Sequence, residues 1–422
     1  MQTAQPALAM AAPAISSPPC LVCGRDTVEP FLDLGSTALA NRFLTEQELA
    51  GPERRYPLVV GYCLACSHVQ LTGRVPPDDM FTEYLYVSSA SETLKTHFAD
   101  LSRLLIDRFA LGSRDLVIDI GCNDGTLLHS FASRGVRTLG VDPAANLAQL
   151  AGPAGGQRLT AFFGSETADR IVEQWGRAML VTATNTFPHI PDLFDFLTGL
   201  DKVLAPGGAF VVEAHYLVDL LEQLAFDTVY HEHVSYWALW PMMRLFELHG
   251  FQVVRAERIP LHHGQLRVTV QRLREGVPDA SVARLLAQEH ALGIQRRETY
   301  ELFAERVRRL REQLLDALAR LRADGARIAA YGAPAKGSTL LEYLGIGRET
   351  LAYIVDRSPL KQGRYTPGSH IPIVPVERLM QDRPDYVLLL AWNFADEVLA
   401  QQAAYREAGG RFIIPVPEVR IV

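Results

Sequence analysis

Cysteine is scarce in this chain of 422 residues, five in all, and the residues ahead of them do not read as a secretory leader, so a disulfide-stapled fold is not expected. No apolar run approaches the ~18 residues that a membrane-spanning helix needs. Positive charge is also short: 41 Lys and Arg stand against 48 Asp and Glu, a net charge of −7. That balance excludes a broad electrostatic grip on nucleic acid and leaves room only for local basic patches. The first seventeen residues are Ala- and Pro-rich, without the basic start and sustained apolar core of a signal peptide. They are expected to form a disordered tail on a protein that stays in the cytoplasm. What remains, 48% hydrophobic and 21% charged, is ordinary globular composition, and the length calls for two or three domains.

Four of the cysteines form two knuckles, Cys20-x-x-Cys23 and Cys63-x-x-Cys66, with 39 residues between them. Two such knuckles can bring four thiolates to a tetrahedral centre, so structural Zn²⁺ is the expected occupant, against redox dithiols or plain buried cysteines. Four protein ligands would close the shell, giving the metal a scaffolding role. His68 is then a packing residue, and Cys122 a small side chain in a turn.

That turn, Asp119-Ile120-Gly121-Cys122-Asn123-Asp124-Gly125-Thr126, follows the apolar Leu116-Val117-Ile118 and opens into a helical segment. Strand, glycine turn and helix in that order let backbone amides approach a ligand closely. Its D-x-G-x-x-x-G spacing is not the dinucleotide G-x-G-x-x-G. It resembles instead the first motif of class I S-adenosylmethionine-dependent methyltransferases, in which Gly121 and Gly125 would line the methionine end and Asp119 would act through the loop. Asn123 and Thr126 belong to the same loop. Asp142, ending the strand-like Arg137 to Val141, stands where an acid accepts hydrogen bonds from ribose hydroxyls.

Around these motifs the chain alternates strand and helix. An amphipathic helix is expected over 92–110, with further strands at Leu159 to Phe163, Met179 to Thr184 and Ala209 to Glu213, the pattern of a parallel doubly wound sheet. Two β-rich runs, Phe251 to Arg258 and Gln265 to Leu273, would close it as an antiparallel pair. A long helical region over 281–323 follows, its stripe made of Leu302, Val307, Leu310, Leu314, Leu318 and Leu321. A second α/β unit begins at Ala326, with strands at Arg327 to Tyr331, Leu351 to Asp356, Tyr386 to Trp392 and Phe412 to Pro415. Its glycine turn carries Lys336 and could cradle a phosphate, but it lacks the Walker spacing, so nucleotide hydrolysis is not supported. The expected domains are a tail (1–17), a zinc module (18–80), a cofactor domain (81–275), a helical connector (276–325) and a substrate-nucleotide domain (326–422).

Tyr230-His231-Glu232-His233-Val234-Ser235-Tyr236-Trp237 lies past the last parallel strand, where open α/β sheets place their crevice. H-x-H supplies too few ligands for a metal, so acid/base work fits better, with packing histidines as the alternative. A histidine tuned near neutral pH suits removal of a proton beside a carbonyl, with Glu232 to fix the imidazole and Tyr230 to hydrogen-bond the developing enolate.

The paired C-x-x-C module, D-I-G-C-N-D-G-T, Y-H-E-H-x-S-Y, H-G-x-L-R, Y-G-A-x-A-K-G and a late W-N-F occur here in one order over residues 18–422. Together they resemble the three-domain sugar C-methyltransferases of deoxysugar and antibiotic biosynthesis, which methylate carbon 3 of a dTDP-linked 4-keto-deoxyhexose. The resemblance implies an α/β fold with an N-terminal four-cysteine zinc module, a class I methyltransferase Rossmann-like domain and a C-terminal Rossmann-like domain holding no dinucleotide. It implies S-adenosylmethionine as cofactor, a nucleotide-linked keto-sugar or other small acceptor as partner, and a monomer or small homo-oligomer. His233 would be the base, flanked by Tyr230, Glu232 and Tyr86 of the connector. Asn185, Phe187 and His189 would flank the cofactor, with turn formation before Pro188 and Pro191 as the alternative, and Lys336, His263 and Arg267 would meet the acceptor. One departure stands out: where the family usually has H-G-G-S-L-R, this chain has His262-His263-Gly264-Gln265-Leu266-Arg267. A non-sugar carbon or oxygen acceptor is therefore the alternative substrate.

Overall fold

The structure, a computed structural model, describes residues 18–81, 87–150, 156–261 and 264–422. The expected tail, Tyr86 and His263 lie outside the described residues. Three sheets organise the rest. The cysteine module is built on β1 (Val28–Thr37), β2 (Tyr56–Cys63) and β3 (Val69–Leu71), which pair antiparallel in that order.

The central sheet begins with β4 (Leu116–Ile120), β5 (Arg137–Val141), β6 (Gln157–Leu159), β7 (Ala178–Thr184) and β8 (Leu204–His215). After β9 (Ser235–Tyr236) come β10 (Phe251–Ile259) and β11 (Gln265–Arg272). The sheet order is β10-β11-β8-β7-β4-β5-β6, parallel except where β11 joins β8 and β10. This is the mixed sheet that the resemblance leads one to expect. Central parallel strands are covered on both faces and so read as continuous apolar runs, as Leu116, Val117, Ile118 and Ile120 do. β9 leaves this domain and pairs with β3, so the cysteine module carries a strand from beyond residue 230.

The helix Glu92–Phe109 covers one face of the sheet. Ser91 caps it by accepting the Leu94 N–H at 3.3 Å, and Ala110 ends it in the left-handed region at φ 48°. Leu94, Phe98, Leu101 and Leu105 recur at helical spacing and pack with Val117, Leu127, Phe131 and Leu180. Full burial of each such side chain stabilises the fold by about 1.5–3 kcal/mol.

The expected single helical region is two helices, Ala280–Leu292 and Arg297–Ala323, because Gly293 at φ 71° caps the first. The second buries Tyr300, Phe303, Val307, Leu310, Leu314 and Leu318, whereas Leu302 is 63% exposed and lies off the stripe. The C-terminal unit contains β12 (Ile328–Tyr331), β13 (Ile354–Val355), β14 (Ile373–Val374), β15 (Tyr386–Leu389), β16 (Arg411–Ile414) and β17 (Arg420–Ile421). Their order is β14-β13-β12-β15-β16-β17, with only the β16/β17 pairing antiparallel. Trp392 falls after β15, in a short 3-10 turn, rather than in the strand.

The cysteine module brackets the two larger units. Arg55 pairs with Glu342 at 2.7 Å, Glu53 accepts from His370 at 2.9 Å, and Leu44 bridges to Tyr365. On the other side it holds the cofactor domain through β3/β9. No helix among the described residues is long and apolar enough to cross a membrane.

Candidate functional site

The two knuckles meet at the end of the β1/β2 hairpin. The Sγ atoms of Cys20, Cys23, Cys63 and Cys66 lie within 4.8 Å of one another, with Cys20 to Cys66 at 3.4 Å and Cys23 to Cys63 at 3.7 Å. A tetrahedron of thiolates at the usual zinc–sulfur distance has edges of about 3.8 Å, so the donor set fits Zn²⁺ and fills its shell. Crowding against Cys63 together with burial pushes the Cys20 thiol up to about 12, a thiol that a bound dication would deprotonate. His68 takes no part: its fully buried ring packs on Trp237, 4.7 Å between centroids.

In the first glycine turn three consecutive needs are met by residue choice. Gly121 at φ 72° sits so close to Thr186 that a Cβ would fall 2.0 Å from its Oγ1, and Gly125 at φ 79° precedes the helix Thr126–Ala132. Asp142, at the end of β5, accepts the Asn123 N–H and the Ala144 N–H, each at 2.9 Å. A carboxylate has about four acceptor positions, so capacity remains for ribose hydroxyls. Arg158 of β6 completes the frame, bonding the Asn123 carbonyl, the Ala144 carbonyl at 3.2 Å and Asp142 at 3.4 Å. Burial raises Asp142 above the usual carboxylate range, with the two amides and Arg158 opposing it.

Asp119 stays behind the loop. It is 2% exposed, accepts from Thr182 Oγ1 at 2.7 Å, and is pushed up to about 7 by burial. The Asn123 side chain accepts the Ser88 N–H at 2.9 Å, and Asp124 accepts those of Ser89 and, on its other oxygen, Thr126 Oγ1. The end of the connector is thereby fastened over the turn.

The third cluster is imidazole-rich. His233 is 4% exposed; its ring lies 4.0 Å from Tyr230 and 5.1 Å from both His189 and His215, between centroids. His233 Nδ1 meets the Thr228 carbonyl at 2.7 Å, which makes Nδ1 the protonated nitrogen and Nε2 the basic one. Burial, and then the neighbouring His189, lower His233 to about 3. The expectation of a near-neutral histidine is thus corrected: burial penalises the imidazolium. Glu232 does not fix the imidazole either. Both its oxygens accept from Asn41 Nδ2, at 2.8 and 3.0 Å, linking this loop to the cysteine module.

Phe187 lies in the core, fully buried among Phe196, Phe210, Trp237 and Phe246, so its ring is not on the cofactor loop. Asn185, at φ 59°, accepts from Gln265 Nε2 at 2.6 Å. Arg267 is turned to the buried Glu213 at 2.5 Å, which His97 also meets at 2.8 Å, so its guanidinium is engaged inside the protein rather than offered to an acceptor. Burial works to raise Glu213, and these two partners outweigh it and hold the carboxyl low. Gly264 at φ 109° packs on Asp219, whose Cγ would lie 1.9 Å from an added Cβ.

The second glycine turn is tied by the same device as the first. Asp356 accepts the Ala333 N–H at 2.6 Å and the Ser358 N–H at 2.7 Å, while Lys361 donates to the Ala333 carbonyl at 2.7 Å. Lys336 Nζ sits 4.1 Å over the Trp392 ring, and burial lowers it to about 8 against the pull of Asp227. A cavity of about 710 Å³ opens between the domains, with Asp219, Arg258 and Gly264 on one wall and Asn393, Phe394 and Glu397 on the other.

Sequence reasoning missed Asn41, Arg158, His215 and Thr228. Asn41, Arg158 and His215 have partners 14 to 191 residues away, and Thr228 acts through its backbone carbonyl, which side-chain type does not mark, so no local pattern announces them.

Comparison with known proteins bears on this arrangement. Residues 20–81 match a family model described as a zinc binding domain, 94–256 a methyltransferase domain, and 260–417 a C-methyltransferase C-terminal domain. The C-methyltransferase NovU of Streptomyces niveus is 40% identical over 404 residues, 96% of each chain. A ubiquinone biosynthesis O-methyltransferase of Leptothrix cholodnii is 30% identical over 95 residues, 22% of this chain and 40% of that one. Among solved structures, an S-adenosylmethionine-dependent methyltransferase from Clostridium acetobutylicum is 11% identical, with a TM-score of 0.34 over 42% of this chain and 92% of its own.

Proposed function

This chain belongs to the C-methyltransferase family, and on that premise we propose that it methylates carbon 3, next to the ketone, of a dTDP-linked 4-keto-deoxysugar, with His233 as the base. The enzyme is S-adenosylmethionine-dependent, and the bound cofactor supplies an electrophilic methyl group on a sulfonium. The observation that carries the reading is the 2.7 Å contact from His233 Nδ1 to the Thr228 carbonyl, which leaves Nε2 as a fixed, unprotonated acceptor inside a buried pocket.

In this mechanism the ketone acidifies the adjacent C–H, and Nε2 takes that proton. The C–H electron pair becomes that of an enolate, whose carbon would take the methyl group that S-adenosylmethionine, held by the Gly121 and Asp142 loop, would give up on leaving as S-adenosylhomocysteine. Tyr230, whose ring lies 4.0 Å from that of His233, would hydrogen-bond the enolate oxygen. Burial keeps the imidazole neutral before the reaction, and general-base assistance of this kind contributes about 10²–10⁴ in rate. The Asp142 and Gly121 loop would hold the cofactor's ribose and methionine ends, and Lys336 supports a diphosphate partner on the facing domain. Holding both reactants in near-attack geometry is worth on the order of 7–11 kcal/mol at best.

The test is thermal stabilisation by thymidine diphosphate with S-adenosylhomocysteine present throughout, followed by methyl-uptake assays with dTDP-4-keto-deoxyhexoses. A further rise with the nucleotide and methyl uptake at carbon 3 are expected. A response to S-adenosylhomocysteine alone, with no uptake, would refute the sugar acceptor and favour a non-sugar carbon or oxygen acceptor.

A further inference from the structure

The 3-10 turn Phe226–Thr228 sits between the C-terminal domain and the base. Asp227 is fully buried, and its Oδ2 accepts the indole N–H of Trp392 at 2.6 Å. Trp392 belongs to the C-terminal unit and Asp227 to the cofactor domain, so this hydrogen bond crosses the domain boundary. Over the face of the Trp392 ring lies the Lys336 ammonium, 4.1 Å from the centroid and within electrostatic reach of Asp227. One residue beyond Asp227, the Thr228 carbonyl holds His233 Nδ1 at 2.7 Å.

We propose that Asp227 and Trp392 are positioning residues that set the tautomer and orientation of His233 through the Thr228 carbonyl, which makes the C-terminal domain part of the base's own support. The inference rests on the reading of His233 as the base. A single 3-10 turn is held locally: here Thr228 N–H and Val229 N–H donate to the Ala225 and Phe226 carbonyls at 3.1 and 3.0 Å, and Thr228 Oγ1 donates to the Ala225 carbonyl at 2.7 Å. These bonds join the turn to itself, whereas the Asp227 side chain ties it to the neighbouring domain and so sets the direction of the next carbonyl relative to that domain. A carboxylate accepting an indole N–H in a buried setting is a charge-assisted bond with a narrow geometry, suited to that task. The line from Lys336 through Trp392, Asp227 and Thr228 to His233 is continuous, so a diphosphate drawn to Lys336 would act on the same support.

Three variants separate positioning from bulk packing. Trp392→Phe keeps the ring and removes the N–H, Asp227→Leu keeps the volume and removes the acceptor, and Asp227→Asn keeps an acceptor oxygen. The readout is the ¹⁵N spectrum of full-length protein carrying [¹⁵N]histidine with S-adenosylhomocysteine bound, the His233 signals assigned by their loss in His233→Gln. Wild type and Asp227→Asn are expected to show the Nδ1–H tautomer. Trp392→Phe and Asp227→Leu are expected to shift the tautomer ratio toward Nε2–H roughly tenfold, the scale of one net hydrogen bond. An unchanged tautomer in folded Trp392→Phe overturns the proposal, and should Asp227→Leu fail to fold, Trp392→Phe and Asp227→Asn decide alone. Turnover of His233→Gln is a separate readout: full activity there would sink the base assignment, while the tautomer shift would still decide the positioning role.

Discussion

Protonation of His233 gives the sharpest prediction. In the unfolded chain its imidazole would titrate near 6.5. In the folded protein burial brings it to about 3. The gap corresponds to roughly 5 kcal/mol against the imidazolium at about 1.4 kcal/mol per unit, so at pH 6 on the order of one molecule in a thousand carries it protonated. The acid limb of kcat/KM, which reports the free enzyme, should therefore be absent at 6.5, with activity limited by His233 only well below pH 5. His233→Gln should lower kcat about 10²–10⁴-fold with cofactor affinity nearly intact. The assay is methyl transfer from pH 4.5 to 9 for both proteins, with S-adenosylhomocysteine affinity by calorimetry. A limb at 6.5 that vanishes in His233→Gln would refute burial as the controlling effect. The sign for stability is the same way round: the folded value is depressed, so the contribution is complete above about 6.5 and is lost as pH falls toward 3.

Asp119 runs oppositely, since its folded value is raised to about 7: its contribution is full below about 3.8 and lost as pH rises through 7. Asp119→Asn, which keeps an acceptor for Thr182, should therefore gain on wild type by about 2.5–3 kcal/mol as pH rises from 5 to 8, read as the difference in melting temperature at each pH; parallel curves would refute it. Stripping zinc with a chelator should abolish turnover and lower the melting temperature, and Cys63→Ser should do the same. Retained turnover in metal-free protein, confirmed by elemental analysis, would contradict the scaffold role. Gly264→Ala drives a Cβ into Asp219 at positive φ and should cost about 1–3 kcal/mol, checked by thermal unfolding, with an unchanged midpoint as the contrary result.

Legibility in the sequence follows the range of the interactions. The cysteine knuckles and the Gly121 to Gly125 turn can be read because ligand spacing and positive φ are demands on neighbouring residues. The alternation of strand and helix around Asp142 can be read for the same reason, each βα turn being local. Phe187 follows a strand end beside Asn185, which points to the cofactor. Its ring is taken instead by Trp237 and Phe246, some 50 residues further on, and no local pattern shows that. Glu232 stands next to an imidazole in the chain, whereas its partner Asn41 is 191 residues away. The protonation state of His233 escapes the sequence because depth in the fold, which decides it, is not a property of the Y-H-E-H segment.

The pairing of β3 with β9 has a consequence during synthesis. Val69, Gln70 and Leu71 are buried in the finished protein and present a hydrogen-bonding edge that Ser235 and Tyr236 complete. A ribosome adding about 5–20 residues per second needs on the order of ten to thirty seconds to make the chain between Leu71 and Ser235, and for that interval the edge has no mate. An uncovered apolar edge of that kind is a template for association between nascent chains. Metal captured early by the two knuckles would hold the hairpin in register while the edge waits. The segment bearing His233 then docks onto a strand already in place, which makes the first module made the template on which the Tyr230 to Tyr236 loop takes its shape.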